Sequence, residues 1–108
     1  MSHKVEAKTN ISDGKLLEES ARDCGFQVVN SSAERLTINK RGFYRPVTFR
    51  KSGEYFSCEI DSDDTRKLAD LKKTYHAKQI TNKARALGYR VREQRQNNGE
   101  IHLSLVGR

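Results

Sequence analysis

The stretch ARDCGFQV, residues 21–28, returns as ARALGYRV, residues 84–91. Both follow the pattern Ala-Arg-x-x-Gly-aromatic-x-Val, within a chain of 108 residues. Each copy predicts a joint between a helix and a strand. The Ala lets the end of the helix lie close to the sheet. The Gly takes the left-handed backbone that stops a helix, a conformation that a Cβ disfavours. The aromatic residue and the second residue after it then share one strand face, because strand side chains alternate.

The flanking segments fit this reading. Residues 3–11, HKVEAKTNI, suit a first strand with Val5, Ala7, Thr9 and Ile11 on one face. In SDGKLLEESARDCG, Ser12 or Asp13 can cap a helix by accepting its free backbone N–H groups. Leu16, Leu17, Ser20, Ala21 and Cys24 then form one helical face, and Gly25 ends it. FQVVN and ERLTINK follow as strands joined by a polar turn. RPVTFR and EYFSCEID make a hairpin around KSGE, with Gly53 supplying the positive φ of the turn. Val47 and Phe49 are predicted to share a face with Phe56, Cys58 and Ile60, opposite Thr48, Arg50, Ser57 and Glu59.

Residues 61–88 predict one long helix. Its carboxylates at Asp61, Asp63 and Asp64 suit the positive end of the helix dipole. Leu68, Leu71, Tyr75, Ile80, Ala84 and Leu87 are the expected buried stripe, and Gly88 is the stop. YRVREQRQ and EIHLSLVG close the chain as a hairpin turning at Asn97, Asn98 and Gly99. The expected fold class is α+β in a single domain, residues 1–108, with two helices packed on one face of an antiparallel sheet. The halves form a βαββ-type pseudo-repeat, arising by duplication or by convergent demands at a helix-to-strand turn.

Charge bounds the function. The 21 Lys and Arg outnumber the 14 Asp and Glu, for a net charge of +7. Such an excess favours polyanionic partners: nucleic acid, an acidic protein face or an anionic membrane surface. No apolar run approaches the roughly 18 residues that span a bilayer, and MSHKVEAKTN lacks a signal-type apolar stretch. A cytoplasmic location is therefore expected, or a host cytoplasm for a viral protein. Cys24 and Cys58 have no metal-ligand spacing and read as small buried hydrophobes in a reducing compartment.

The opening MSH, the central RGFYRP with its hairpin, and the closing YHAKQITNKARALGYRV…NNGEIHLSLVGR together resemble a family of small proteins known as a hypothetical chloroplast reading frame. Its members occur in chloroplast genomes, cyanobacteria and some phages. The resemblance implies an α+β sandwich and, by gene neighbourhood, a working relation with an AAA-type ATPase. This chain departs from the family in its basic, Trp-free middle. The resemblance carries no activity.

No constellation points to an enzyme or a cofactor. His3, His76 and His102 are scattered, with no metal-ligand set around them. His76 suits a partly exposed helix position, and His102 alternates away from Ile101 and Leu103. There is no phosphate-cradling Gly loop and no nucleophile elbow. As a helix start, the carboxylates of DSDD need no metal.

The best binding candidate is NKRGFYRPVTFRK, residues 39–51. Lys40, Arg41, Arg45, Arg50 and Lys51 interleave with Phe43, Tyr44 and Phe49. Arginines grip phosphates through a planar fork, and exposed rings stack on unpaired bases at roughly 1–3 kcal/mol each. Tyr44 is the ring expected to stack, and Phe49 is expected in the core. The alternation breaks at Tyr44, Arg45 and Pro46, unlike the strand of an RNA-recognition module. A structural role for the rings, with a solvated basic rim, is the competing explanation. The second candidate is Lys72, Lys73, Lys83, Arg85, Arg90, Arg92 and Arg95, with Arg90 and Arg92 on one strand face. The expected function is a non-enzymatic basic domain that binds nucleic acid with weak sequence preference. The alternative is an adaptor or inhibitor acting on an acidic host protein or an AAA-type ATPase.

Overall fold

The computed structural model describes residues 3–107, so Met1 and Ser2 of the MSH opening, and Arg108, lie outside it. The elements run β1 (Lys4–Lys8), α1 (Gly14–Asp23), β2 (Gln27–Ser31), β3 (Arg35–Asn39), β4 (Val47–Ser52) and β5 (Tyr55–Asp61). A 3₁₀ helix (Ser62–Leu68), α2 (Ala69–Ala86), β6 (Arg90–Arg95) and β7 (Ile101–Val106) complete the chain. The fold is α+β. Five strands form an antiparallel sheet in the order β1-β5-β4-β3-β2.

Both helices pack on one face of this sheet. Leu16, Leu17 and Ala21 of α1 and Leu71 and Tyr75 of α2 join one core with Leu36, Ile38, Val47, Phe49, Phe56, Cys58 and Ile60. The alternation read in β4 and β5 therefore sets which side is buried. Tyr75 ties the layers together, because its Oη accepts the N–H groups of Ser12 and Asp13 at 3.2 and 3.1 Å. Asp13 caps α1 by accepting from Leu16 N at 3.1 Å.

The repeated stretch forms the same helix stop twice. Gly25 and Gly88 have φ of +84° and +91°. Gly25 N–H donates to Arg22 O and Phe26 N–H to Ala21 O. Gly88 N–H donates to Arg85 O and Tyr89 N–H to Ala84 O in the same way. Each pair is a Schellman motif, which satisfies carbonyls that the helix end leaves open. The repeated Ala is buried at both sites and accepts the bond that spans more residues.

Four expectations change. The first strand is shorter than residues 3–11: Ile11 is buried, but Ala7 is exposed on the sheet edge. The long helix is two elements, because the Asp and Thr side chains of its first turns bond locally. Asp61 Oδ1 accepts Asp63 N at 3.0 Å, and Thr65 Oγ1 donates to Ser62 O at 3.2 Å. The buried stripe stops short, with Ile80 52% and Leu87 60% exposed. Finally, β6 and β7 form a sheet of their own. Helix α2, about 27 Å long, carries them away from the main sheet, and their hairpin packs mainly on α2. The molecule is accordingly elongated, at 51 × 33 × 21 Å.

Candidate nucleic-acid interface

The segment 39–51 folds back on carboxylates that its sequence does not contain. Asp64 is fully buried, and its two oxygens point at the loop after β3. Oδ2 accepts the Tyr44 N–H and Oδ1 accepts Lys67 Nζ, both at 2.8 Å. Lys67 Nζ also donates to Gly42 O at 2.7 Å and sits 5.6 Å from the Phe43 ring centroid and 5.1 Å from that of Tyr44. The Asp64 hydrogen bond holds the Lys67 ammonium above its ordinary pKa. Phe43 closes the loop from inside, edge-on to Phe26 with centroids 5.2 Å apart. Asp61 and Asp64 thus latch the loop as well as starting a helix.

The cations of this segment are largely occupied. Lys40 Nζ donates to Cys24 O at 2.7 Å, where α1 ends and positive charge is favoured. Arg45 Nε lies 3.5 Å from Asp61 Oδ2, which is buried and accepts no hydrogen bond from the described residues. The pair is not a hydrogen bond, so among the described residues that oxygen is met by charge alone. Arg50 Nε meets Glu59 Oε1 at 3.2 Å on the open sheet face, and Lys4 Nζ meets Oε2 of the same Glu59 at 3.1 Å. The Lys4 hydrogen bond, with Arg50 and Arg35 nearby, holds Glu59 below its ordinary pKa. Lys51 Nζ donates to Ser12 O at 3.2 Å at the start of α1. Arg41 is exposed beside Gly42, and Tyr44 is 66% exposed. Phe49 is core, as expected.

The candidate residues therefore occupy separate places. Lys40, Arg41, Tyr44 and Arg45 sit on the latched loop, Arg50 on the open sheet face and Lys51 beside α1. Arg90 and Arg92 lie on β6, opposite Val106 and Ser104, on the hairpin face turned away from α2. Around them the charge is one-sided: residues 77–95 hold six Lys or Arg against a single Glu. Lys78 is held by Glu19 and Asp23, and Arg95 stands 3.7 Å from Glu93. Lys83, Arg85, Arg90 and Arg92 are exposed and form no ion pair among the described residues.

The two cysteines, both expected buried, differ in exposure. Cys24 and Cys58 are free thiols, Cys24 partly exposed and Cys58 buried, with burial pushing the Cys58 thiol up to about 12. Among the described residues no three His, Cys, Asp or Glu gather as a metal site, and no helix is long and apolar enough to cross a membrane. Sequence reasoning missed Asp61, Asp64 and Lys67 as loop contacts. A signal was present, since a helix start needs one capping carboxylate and DSDD supplies three. No family model matches the chain, and no curated protein or solved structure matches it either.

Proposed function

We propose that this protein is a binding domain for nucleic acid, with weak sequence preference, whose phosphate contacts come from Arg90 and Arg92 with Lys83 and Arg85. The observation that carries this reading is the contrast in charge pairing. The cations at Arg45 and Arg50 already meet carboxylates, whereas those of residues 83–92 meet none among the described residues. An unpaired arginine on an exposed strand keeps its full fork for phosphate and loses no internal ion pair when it binds. Arg41 and the exposed ring of Tyr44 form a second, smaller contact at the latched loop.

The test is fluorescence anisotropy of labelled single-stranded and duplex oligonucleotides across a salt series. Affinity that falls steeply with salt and differs little between sequences is the expected result, because phosphate contact releases counterions. Absence of binding to every probe at low salt overturns this reading in favour of an acidic protein partner.

A further inference from the structure

We infer that β7 is a self-association edge, and that two copies of this chain pair through it into a four-stranded sheet, β6-β7-β7-β6. This inference stands independently of the nucleic-acid reading. It begins with the four sheet edges of the molecule. An open edge strand invites pairing with another chain, and proteins blunt such edges with charge or bulges. Edge β1 carries Lys4, Glu6 and Lys8. Edge β2 is interrupted by a bulge between Val28 and Asn30. Edge β6 carries Arg90, Arg92, Glu93 and Arg95. Edge β7, IHLSLV, has no Lys, Arg, Asp or Glu and pairs without interruption along its length.

The backbone of β7 is set to pair. Gln96 N–H donates to Glu100 O at 2.8 Å next to the turn. Antiparallel pairs alternate between bonded and non-bonded, so His102, Ser104 and Val106 turn their backbone groups towards β6. Those of Ile101, Leu103 and Leu105 then point to the free edge. No other backbone partner takes them among the described residues.

The side chains say which partner fits. A two-fold axis through Leu103 sets Leu103 opposite Leu103 of the second copy, and Ile101 opposite Leu105. In that register all three apolar residues of each copy fall on the same sheet face, the one towards α2. That face is only half covered: Leu105 is 55% exposed, and a groove of about 440 Å³ lies between α2 and β7, where Ala77, Ile80, Ile101 and Leu103 line it together with Lys72 and Lys73. Leu105 of the second copy enters next to this groove. Two chains of net charge +7 repel, so a contact between them needs an uncharged strip, and β7 supplies one. The register also brings Glu100 of the second copy opposite Val106, on the outer face that carries Arg90 and Arg92. The charged β6 edges close the assembly at four strands.

The test is sedimentation velocity of nuclease-treated protein at roughly 100 µM, in roughly 0.5 M salt so that polyanion bridging is screened. The expected result is a doubled mass, with Leu105→Lys giving a monomer of unchanged far-UV spectrum. A second experiment reads the register directly. In a Cys24→Ser background, His102→Cys and Ser104→Cys chains are mixed under mild oxidation. Those positions face each other across the two-fold axis, so the mixture should form a disulfide dimer and neither chain alone should. A monomeric wild type, a dimer that folded Leu105→Lys leaves intact, or a mixture without the crosslink each overturns the inference.

Discussion

The two hairpins that follow the two glycine stops begin alike and end differently. Phe26 is 6% exposed and leads into β2, whose partner β3 is stitched to β4 within the main sheet. Tyr89 is 37% exposed and leads into β6, whose sheet ends at β7. Beyond the first hairpin the chain is latched by Asp61 and Asp64. Among the described residues no buried carboxylate latches the second hairpin, and its apolar face keeps Leu105 half in solvent. An identical local joint is therefore compatible with an enclosed element and with an open one. Sequence around the joint sets how the helix stops, while the fate of the strand depends on what remains to cover it.

The sharpest test of this difference is truncation at the aromatic position. Phe26→Ala should destabilise by about 3–4 kcal/mol, since it empties a buried site in contact with Phe43. Tyr89→Ala should cost less than this, because Tyr89 is already 37% exposed. Urea unfolding of both variants measures the gap, and equal losses would erase the distinction between the hairpins.

The latch comes next in size. Asp64→Ala should cost about 2–3 kcal/mol, below the loss for a fully buried pair because Lys67 keeps contact with water. Amide exchange at Tyr44 should accelerate, because its N–H loses the Asp64 carboxylate. Unchanged exchange there would remove the latch from the account.

A third stability effect is shared by both halves. Gly25→Val and Gly88→Val should each cost more than about 1 kcal/mol, because both glycines have positive φ. Thermal unfolding checks this. Unchanged melting in both variants would mean that the repeat is not a helix stop.

These contrasts also show what the sequence made legible. Helix stops, caps and strand alternation are local, so Gly25, Gly88, Asp13 and the Val47–Ile60 pattern could be read directly. The exposure of Ile80 and Leu87 could not, because apolar spacing along a helix does not say where the covering layer ends. The latch was hidden for a related reason. Asp64 is 20 residues from Tyr44, and a carboxylate at a helix start has a sufficient local explanation. The basic-aromatic segment looked like the strongest binding site because sequence counts cations without their partners. Its Arg45 and Arg50 meet Asp61 and Glu59 only once the sheet is assembled.

The central claim is that unpaired charge, and not total charge, marks the binding surface. The direct measurement is oligonucleotide affinity against salt for two double variants, Arg90→Ala/Arg92→Ala and Arg45→Ala/Arg50→Ala. The first pair should weaken binding to all sequences alike and lower the salt slope by about two. The second should leave affinity and slope close to wild type. The opposite pattern, with Arg45 and Arg50 carrying the slope, would contradict the claim.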